Sequence, residues 1–291
     1  MRLPAPYCLK ALLLVSLMLG PGLAQGAGIS RRHHPWGCFD VGAWTRVRVV
    51  TQRFEKGETL ISITETKTTL KEVSDDGVTL LVESVVEVGG KQLQNEPKTV
   101  KQGWHGELAD RDVKVTHLGP GEVVIRNRRI PCQIQQHVVV GPTDKTTTKI
   151  YYSDTVEPFI LKRESVTTSL EGDARLGETT VEVMDCDVPC RILASIRNTF
   201  HVKAVHTNSK GTTTTIAFTS TRVPGGVIRH DSKQFDKEGR LTAQSSLELL
   251  DYGLEADDGS PRPFGHRRSG PPRRPHRLPP YRLRLPPPMR R

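Results

Sequence analysis

Aromatic residues are scarce. Phe, Trp and Tyr make up 5% of 291 residues, and all apolar residues together 35%. That density is too low for a core filled from both sides of every element. It suits strands with one wet face, which need an apolar residue only at every second position. Helical periodicity is missing as well, since no long stretch repeats apolar residues at the spacing of a buried helix face. The apolar stretch at residues 11–19, broken only by Ser16, is too short to span a bilayer as a stable anchor.

Catalytic signatures are absent too. The chain has no Gly-x-Ser-x-Gly elbow, His-Glu-x-x-His, Cys-x-x-Cys, phosphate-binding Gly-x4-Gly-Lys-Ser/Thr or Gly-x-Gly-x-x-Gly. His230-Asp231-Ser232 are neighbours, but neighbours on a strand point to opposite faces and make no triad. The chain is therefore read as a non-enzyme without cofactor or metal. A hydrolase with catalytic groups far apart in sequence stays open as an alternative.

Acidic residues are missing from the last 31 positions. Pro261–Arg291 holds ten Arg and ten Pro and no Asp or Glu. With Arg2 and Lys10 also set aside, 30 basic residues face 32 acidic ones, so the body is near neutral despite a formal charge of +10. A basic nucleic-acid-binding fold is not implied, and no specific nucleic-acid recognition is expected. Residues 257–291 read as a disordered Arg/Pro-rich tail. Arg267, Arg268, Arg273 and Arg274 are its candidate contacts to an anionic envelope polymer or lipid, because guanidinium binds phosphate bidentately. The alternative is a solubilising or incidental tail.

Residues 1–24 have the order of a cleavable signal peptide. Arg2 and Lys10 precede the apolar run, and Gly22-Leu23-Ala24 supplies small residues for cleavage. The expected location is secreted or periplasmic. Cys8 would leave with the signal, so Cys38, Cys132, Cys186 and Cys190 remain as disulfide candidates. Cys38–Cys132 with Cys186–Cys190 is one pairing, and Cys132–Cys186 belongs to another. Residues 25–43, with Arg31-Arg32-His33-His34, read as a flexible leader.

The body alternates. Val78, Leu80, Val82, Val86 and Val88 share a face after the Asp75-Asp76-Gly77 turn. Residues 44–118 are read as an N-terminal β unit with a polar loop at 91–111. Beyond it the chain repeats itself. At a shift of 66, Thr147-Thr148-Lys149-Ile150 falls on Thr213-Thr214-Thr215-Ile216, and Thr179–Asp185 falls on Ser245–Asp251. Cys132 and Cys190 match at a shorter offset. Repeat A is placed at 119–186 and repeat B at 187–256. The predicted fold is all-β: antiparallel, strongly curved sheets or half-barrels built from tandem similar four-stranded units.

Glu122–Ile134, Thr147–Arg163, Glu178–Ile192 and Thr213–Arg229 carry a pattern that resembles uncharacterised secreted bacterial β-proteins. More distantly it is similar to periplasmic carriers of the LolA/LppX type. That resemblance implies a curved antiparallel sheet and the binding of lipid or acyl chains. The leading expectation is an exported, non-enzymatic binding or structural component of the bacterial cell envelope. The alternative is a carrier whose apolar groove is lined by Ile150, Phe159, Leu161, Ile216 and Val227. A closed core made of the same residues is the plainer outcome.

Overall fold

A computed structural model describes residues 29–55, 57–104 and 112–255. Among them are fourteen strands: β1 (Trp44–Glu55), β2 (Glu58–Val73), β3 (Gly77–Val88), β4 (Lys91–Gln94), β5 (Lys98–Gly103), β6 (Val113–Ile125) and β7 (Arg128–Val140). They continue as β8 (Asp144–Tyr152), β9 (Ile160–Ser169), β10 (Arg175–Ile192), β11 (Ser195–Asn208), β12 (Gly211–Thr219), β13 (Val227–Phe235) and β14 (Leu241–Gly253). All belong to one antiparallel sheet ordered β4-β3-β2-β1-β14-β13-β12-β11-β10-β9-β8-β7-β6, with β5 beside β4 on β3. The predicted all-β, antiparallel class is what the chain adopts.

The sheet is open but curled. Gly103 ends β5 at one edge and Val113 begins β6 at the other. Ten residues reach at most about 36 Å. Flat, the two edges would stand about 58 Å apart at the usual strand spacing.

Pairing divides the side chains into two faces. One row of the inner face reads Val183, Val202, Ala217, His230, Leu247 and Val49, all buried. The next row reads Gln135, Ile150, Arg163, Val181, Ala204 and Thr215. The third is polar throughout: His137, Thr148, Ser165, Thr179, His206 and Thr213. Polarity thus rises from one end of the strands to the other. The outer face carries Lys162, Glu182, Lys203, Ile216 and Asp231 in one row.

Three sequence expectations need correction. Residues 29–43 of the leader are packed. Ile29 joins Ile150, Tyr152 and Ile160, while Trp36 joins Leu70, Val78 and Leu80. Trp36 also lies against Gly225, whose φ of 77° suits glycine and where any Cβ would crowd the indole ring. The leader therefore straps three distant parts of the sheet together. Second, the polar loop at 91–111 contains β4 and β5, and Trp104 is anchored by its Nε1 donating to the Asp75 carbonyl at 2.6 Å. Third, the boundary at 186/187 falls inside β10.

Candidate functional site

The inner face of β7–β9 carries a buried polar network. Gln135, fully buried, donates from Nε2 to the Tyr152 hydroxyl at 3.4 Å and lies 3.3 Å from His117 Nδ1. Its Oε1 accepts from His137 Nε2 at 3.2 Å. Burial, reinforced by the Arg163 guanidinium and His117, pushes the His137 pKa down to about 3. The imidazole is therefore neutral, and its Nε2–H tautomer is fixed by the amide oxygen.

The network meets the leader at Tyr152. His33 stands edge-on to that ring, with centroids 5.6 Å apart. Its Nε2 is 3.3 Å from Asp154 Oδ1, and its Nδ1 accepts from the Ser30 amide at 2.9 Å. Ser30 Oγ is 3.1 Å from the same Nδ1. The order Ser30, His33, Asp154 imitates a catalytic relay, but the arrangement is a capping box. Ser30 opens a three-residue 3-10 turn, and its own amide occupies the nitrogen that a base would need. The three residues fasten the strap.

A second feature lies on the outer face of β12, β13, β14 and β1. It is a groove of about 600 Å3. Val50, Ile216 and Phe235 give it an apolar floor, and Thr214, Gln52, Gln244 and Ser246 give it hydroxyls and amides. Gln244 Nε2 donates to Gln52 Oε1 at 2.7 Å. Asp231 accepts twice from Arg229, at 3.2 and 2.9 Å, while Lys233 lines the same wall. The groove exists because β1 pairs with β14, which brings Val50 opposite Ser246.

The five candidate groove residues do not converge. Ile150 and Leu161 are 0% exposed and Val227 is 7% exposed, each within a packed cluster. Phe159 sits in the β8–β9 loop at a φ of 72°, under the Arg32 guanidinium at 4.6 Å. Ile216 faces the other way. Register links it through Lys203, Glu182 and Lys162 to Tyr151, whose strand neighbour Ile150 points to the opposite face. Ile216 alone of the five lines the outer groove.

The four thiols are free. Cys38 is exposed on the leader, Cys132 and Cys186 lie in one apolar cluster, and Cys190 lies in another with Ile192, Val223 and Ile228. Burial raises the Cys132 and Cys186 pKa values, so neither is an activated nucleophile. Among the described residues no group of three or more His, Cys, Asp or Glu is placed to hold a metal. Residues 1–24 and Arg267, Arg268, Arg273 and Arg274 fall outside the described residues.

Sequence reasoning missed Gln135, His137 and Tyr152, and most of the outer groove. The period-2 pattern marks such positions only once the pairing of strands is known.

No family model and no curated protein matches the chain. Among solved structures it is similar to a candidate exported protein of YmcC-like fold from Bacteroides fragilis. That likeness has 9% identity and a TM-score of 0.30, covering 74% of this chain and 97% of that one. It is also similar to a candidate outer-membrane lipoprotein-sorting domain from Vibrio parahaemolyticus, at 10% identity and a TM-score of 0.31 over 73% and 84% of the two chains. A DUF1329-family protein from Desulfovibrio piger matches at 8% and 0.31, over 75% and 86%. Likenesses at that level carry no argument about what this chain does.

Proposed function

We propose that the chain is an exported, non-enzymatic binding protein of the bacterial cell envelope and that its ligand site is the outer groove on β12, β13, β14 and β1. The observation that supports this reading is the groove itself. Its volume of about 600 Å3 falls in the range of small-ligand sites. Its apolar floor with a few convergent amides and hydroxyls is the usual composition of such sites. Export rests on the signal-like residues 1–24.

A carrier of acyl chains is the second reading. It is favoured by the floor of Val50, Ile216 and Phe235, with Lys233 at the wall to meet an acidic head group. It no longer uses Ile150, Leu161 or Val227, which are core.

Native mass spectrometry of the mature protein from its own envelope fraction tests both. A stoichiometric adduct that disappears in Ile216→Asp supports the groove, and a lipid mass for that adduct selects the carrier. An apo mass together with no ligand protection of the groove in hydrogen exchange overturns the proposal.

A further inference from the structure

Residues 29–39 of the leader hold two adjacent histidines that are both buried. His33 is 5% exposed and His34 3%. The same atom locks each of them into a turn of the leader. His33 Nδ1 accepts from the Ser30 amide at 2.9 Å, and His34 Nδ1 accepts from the Trp36 amide at 3.3 Å. A backbone amide can only donate, so both imidazoles are neutral and carry their proton on Nε2.

The Nε2 sides differ. That of His33 faces Asp154 Oδ1 at 3.3 Å, beside the rings of Tyr152 and Phe159. His34 stands edge-on to Trp104, with centroids 5.6 Å apart, and its Nε2 has no hydrogen-bond partner among the described residues. Charged groups around the pair are few. Asp154 of the β8–β9 loop favours a charged His33, and Arg32 of the leader opposes it. Asp75 and Asp76 meet Trp104 through their carbonyls, which accept from its indole and its amide. His34 is acted on by burial alone.

A second proton must go to Nδ1 in either ring. There it confronts the amide hydrogen that Nδ1 was accepting, and a turn bond becomes a clash of two donors. In His34 the new charge is also buried with no acceptor at Nε2. Burial accordingly holds the His34 pKa down to about 4, and it lowers that of His33 despite Asp154.

Both turns lie where the leader grips the sheet. Ile29 before them packs with Ile150, Tyr152 and Ile160, and Trp36 after them with Leu70, Val78 and Leu80. Between these anchors the Arg32 guanidinium donates to the Asp154 carbonyl at 2.6 Å, and the Pro35 carbonyl accepts from the Gly225 amide at 3.2 Å. Residues 29–39 contribute no strand, so they can leave while the sheet stays paired.

We infer that residues 29–39 form an acid-opened latch: proton uptake at His33 and His34 releases them and uncovers the apolar sites beneath Ile29 and Trp36. Both histidines bind a proton more weakly in the docked leader than in a free one. Docking is therefore full above about pH 6.5 and weakens as the pH falls toward 4. None of the residues that form the latch lines the groove, so the two readings stand or fall separately.

Amide hydrogen exchange of the full mature chain at pH 7 and pH 5 tests this, read as protection factors so that the intrinsic pH dependence of exchange cancels. Protection of residues 29–39 should fall by about tenfold or more. It should also stay below that of β11 and β12 at pH 5. His33→Asn with His34→Asn keeps an acceptor oxygen near each Nδ1 position but cannot take up the proton, so the fall should shrink to less than about twofold. His34→Asn alone, which leaves the Ser30 cap intact, should remove the greater part of it. Nitrogen-15 NMR adds a reading that needs no variant: both rings should show the Nε2–H tautomer at pH 7. An Nδ1–H tautomer in either ring, no fall between the two pH values, or a fall that survives both asparagines overturns the inference. Protection equal to that of β11 and β12 at pH 5 overturns it as well, because the leader then opens only with the whole sheet.

Discussion

The meander β7–β10 and the meander β11–β14 share a backbone plan and differ in what they bury. Their loops match bond for bond. Ser153 donates to the Phe159 carbonyl at 2.7 Å, and Ser220 to the Gly226 carbonyl at 2.8 Å. Thr148 meets Ser165 at 2.9 Å, and Thr215 meets Ser232 at 2.9 Å. These pairs lie 67 positions apart, one more than the sequence shift. The inner face then diverges. Gln135, His137 and Arg163 in the first meander stand where the second has Val202, Ala204 and His230. Strand pairing and loop bonds suffice for the plan. The inner row can be amide and imidazole or aliphatic, provided that buried polar atoms find partners.

If the meanders are equivalent, matching cuts should cost the same. Leu161 and Ile228 are both buried bulge residues, at 0% and 3% exposure, and each packs beside its loop valine. Leu161→Ala and Ile228→Ala should each lose about 3 kcal/mol in chemical denaturation. A difference of more than about half between them would break the equivalence.

Acid should act on both meanders through different residues. Burial holds the His230 pKa down to about 4 and that of His137 to about 3. Each is neutral in the fold yet ionises near 6.5 when unfolded, so the unfolded chain binds more protons in between. Stability is full above pH 6.5 and falls as the pH drops toward those values. Between pH 7 and 4.5 each histidine should account for about 2–3 kcal/mol. Denaturation at the two pH values checks this. His230→Leu and His137→Ala should each flatten the acid limb, and the double variant should flatten it further.

The hydroxyl pairs offer a finer test. Thr148→Ala and Thr215→Ala should each cost about 1 kcal/mol by breaking a half-buried bond. Thr214→Ala, the partner that a shift of 66 would choose, should cost less than about 0.5 kcal/mol, because Thr214 faces the outer groove. A comparably small effect should come from making one meander resemble the other. Gln135→Val with His137→Ala should change stability at pH 7 by less than about 1 kcal/mol, since polar groups leave together and aliphatic ones replace them. A large loss would mean that the network holds the fold.

The strands were legible because alternation such as Val78 to Val88 and turns such as Asp75-Asp76-Gly77 are local signals. The shift of 66 holds for β10 and β14 and was misread by one for the strands before them, for a physical reason. The β9–β10 turn is a residue longer than its needs on the matching plan: Ser169 bonds Ala174, whereas Asp236 bonds Arg240. Thr-rich strands match themselves almost equally well at either shift. A one-residue slip turns every side chain to the other face, which is how Ile216 came to be grouped with Ile150. Cys132 and Cys190 were equated from local sequence alone; one lies in β7 and the other near the end of β10, whereas β7 corresponds to β11 in the second meander. The leader was misread because Arg31 to His34 looks solvated, while its burying partners Tyr152, Phe159 and Gly225 lie far along the chain. The groove could not be read at all until β1 was known to pair with β14.

That pairing sets an order of events in time. Val47 lies opposite Leu249, so about two hundred residues must be made before the first strand meets its last partner. Until then a growing chain can zip β1 to β2 and β3, but one side of β1 keeps its amides and carbonyls open. Contacts of such long sequence separation form late and slowly, and an open strand edge invites wrong partners while it waits. Among the described strands, the last one made is the one that seals the first.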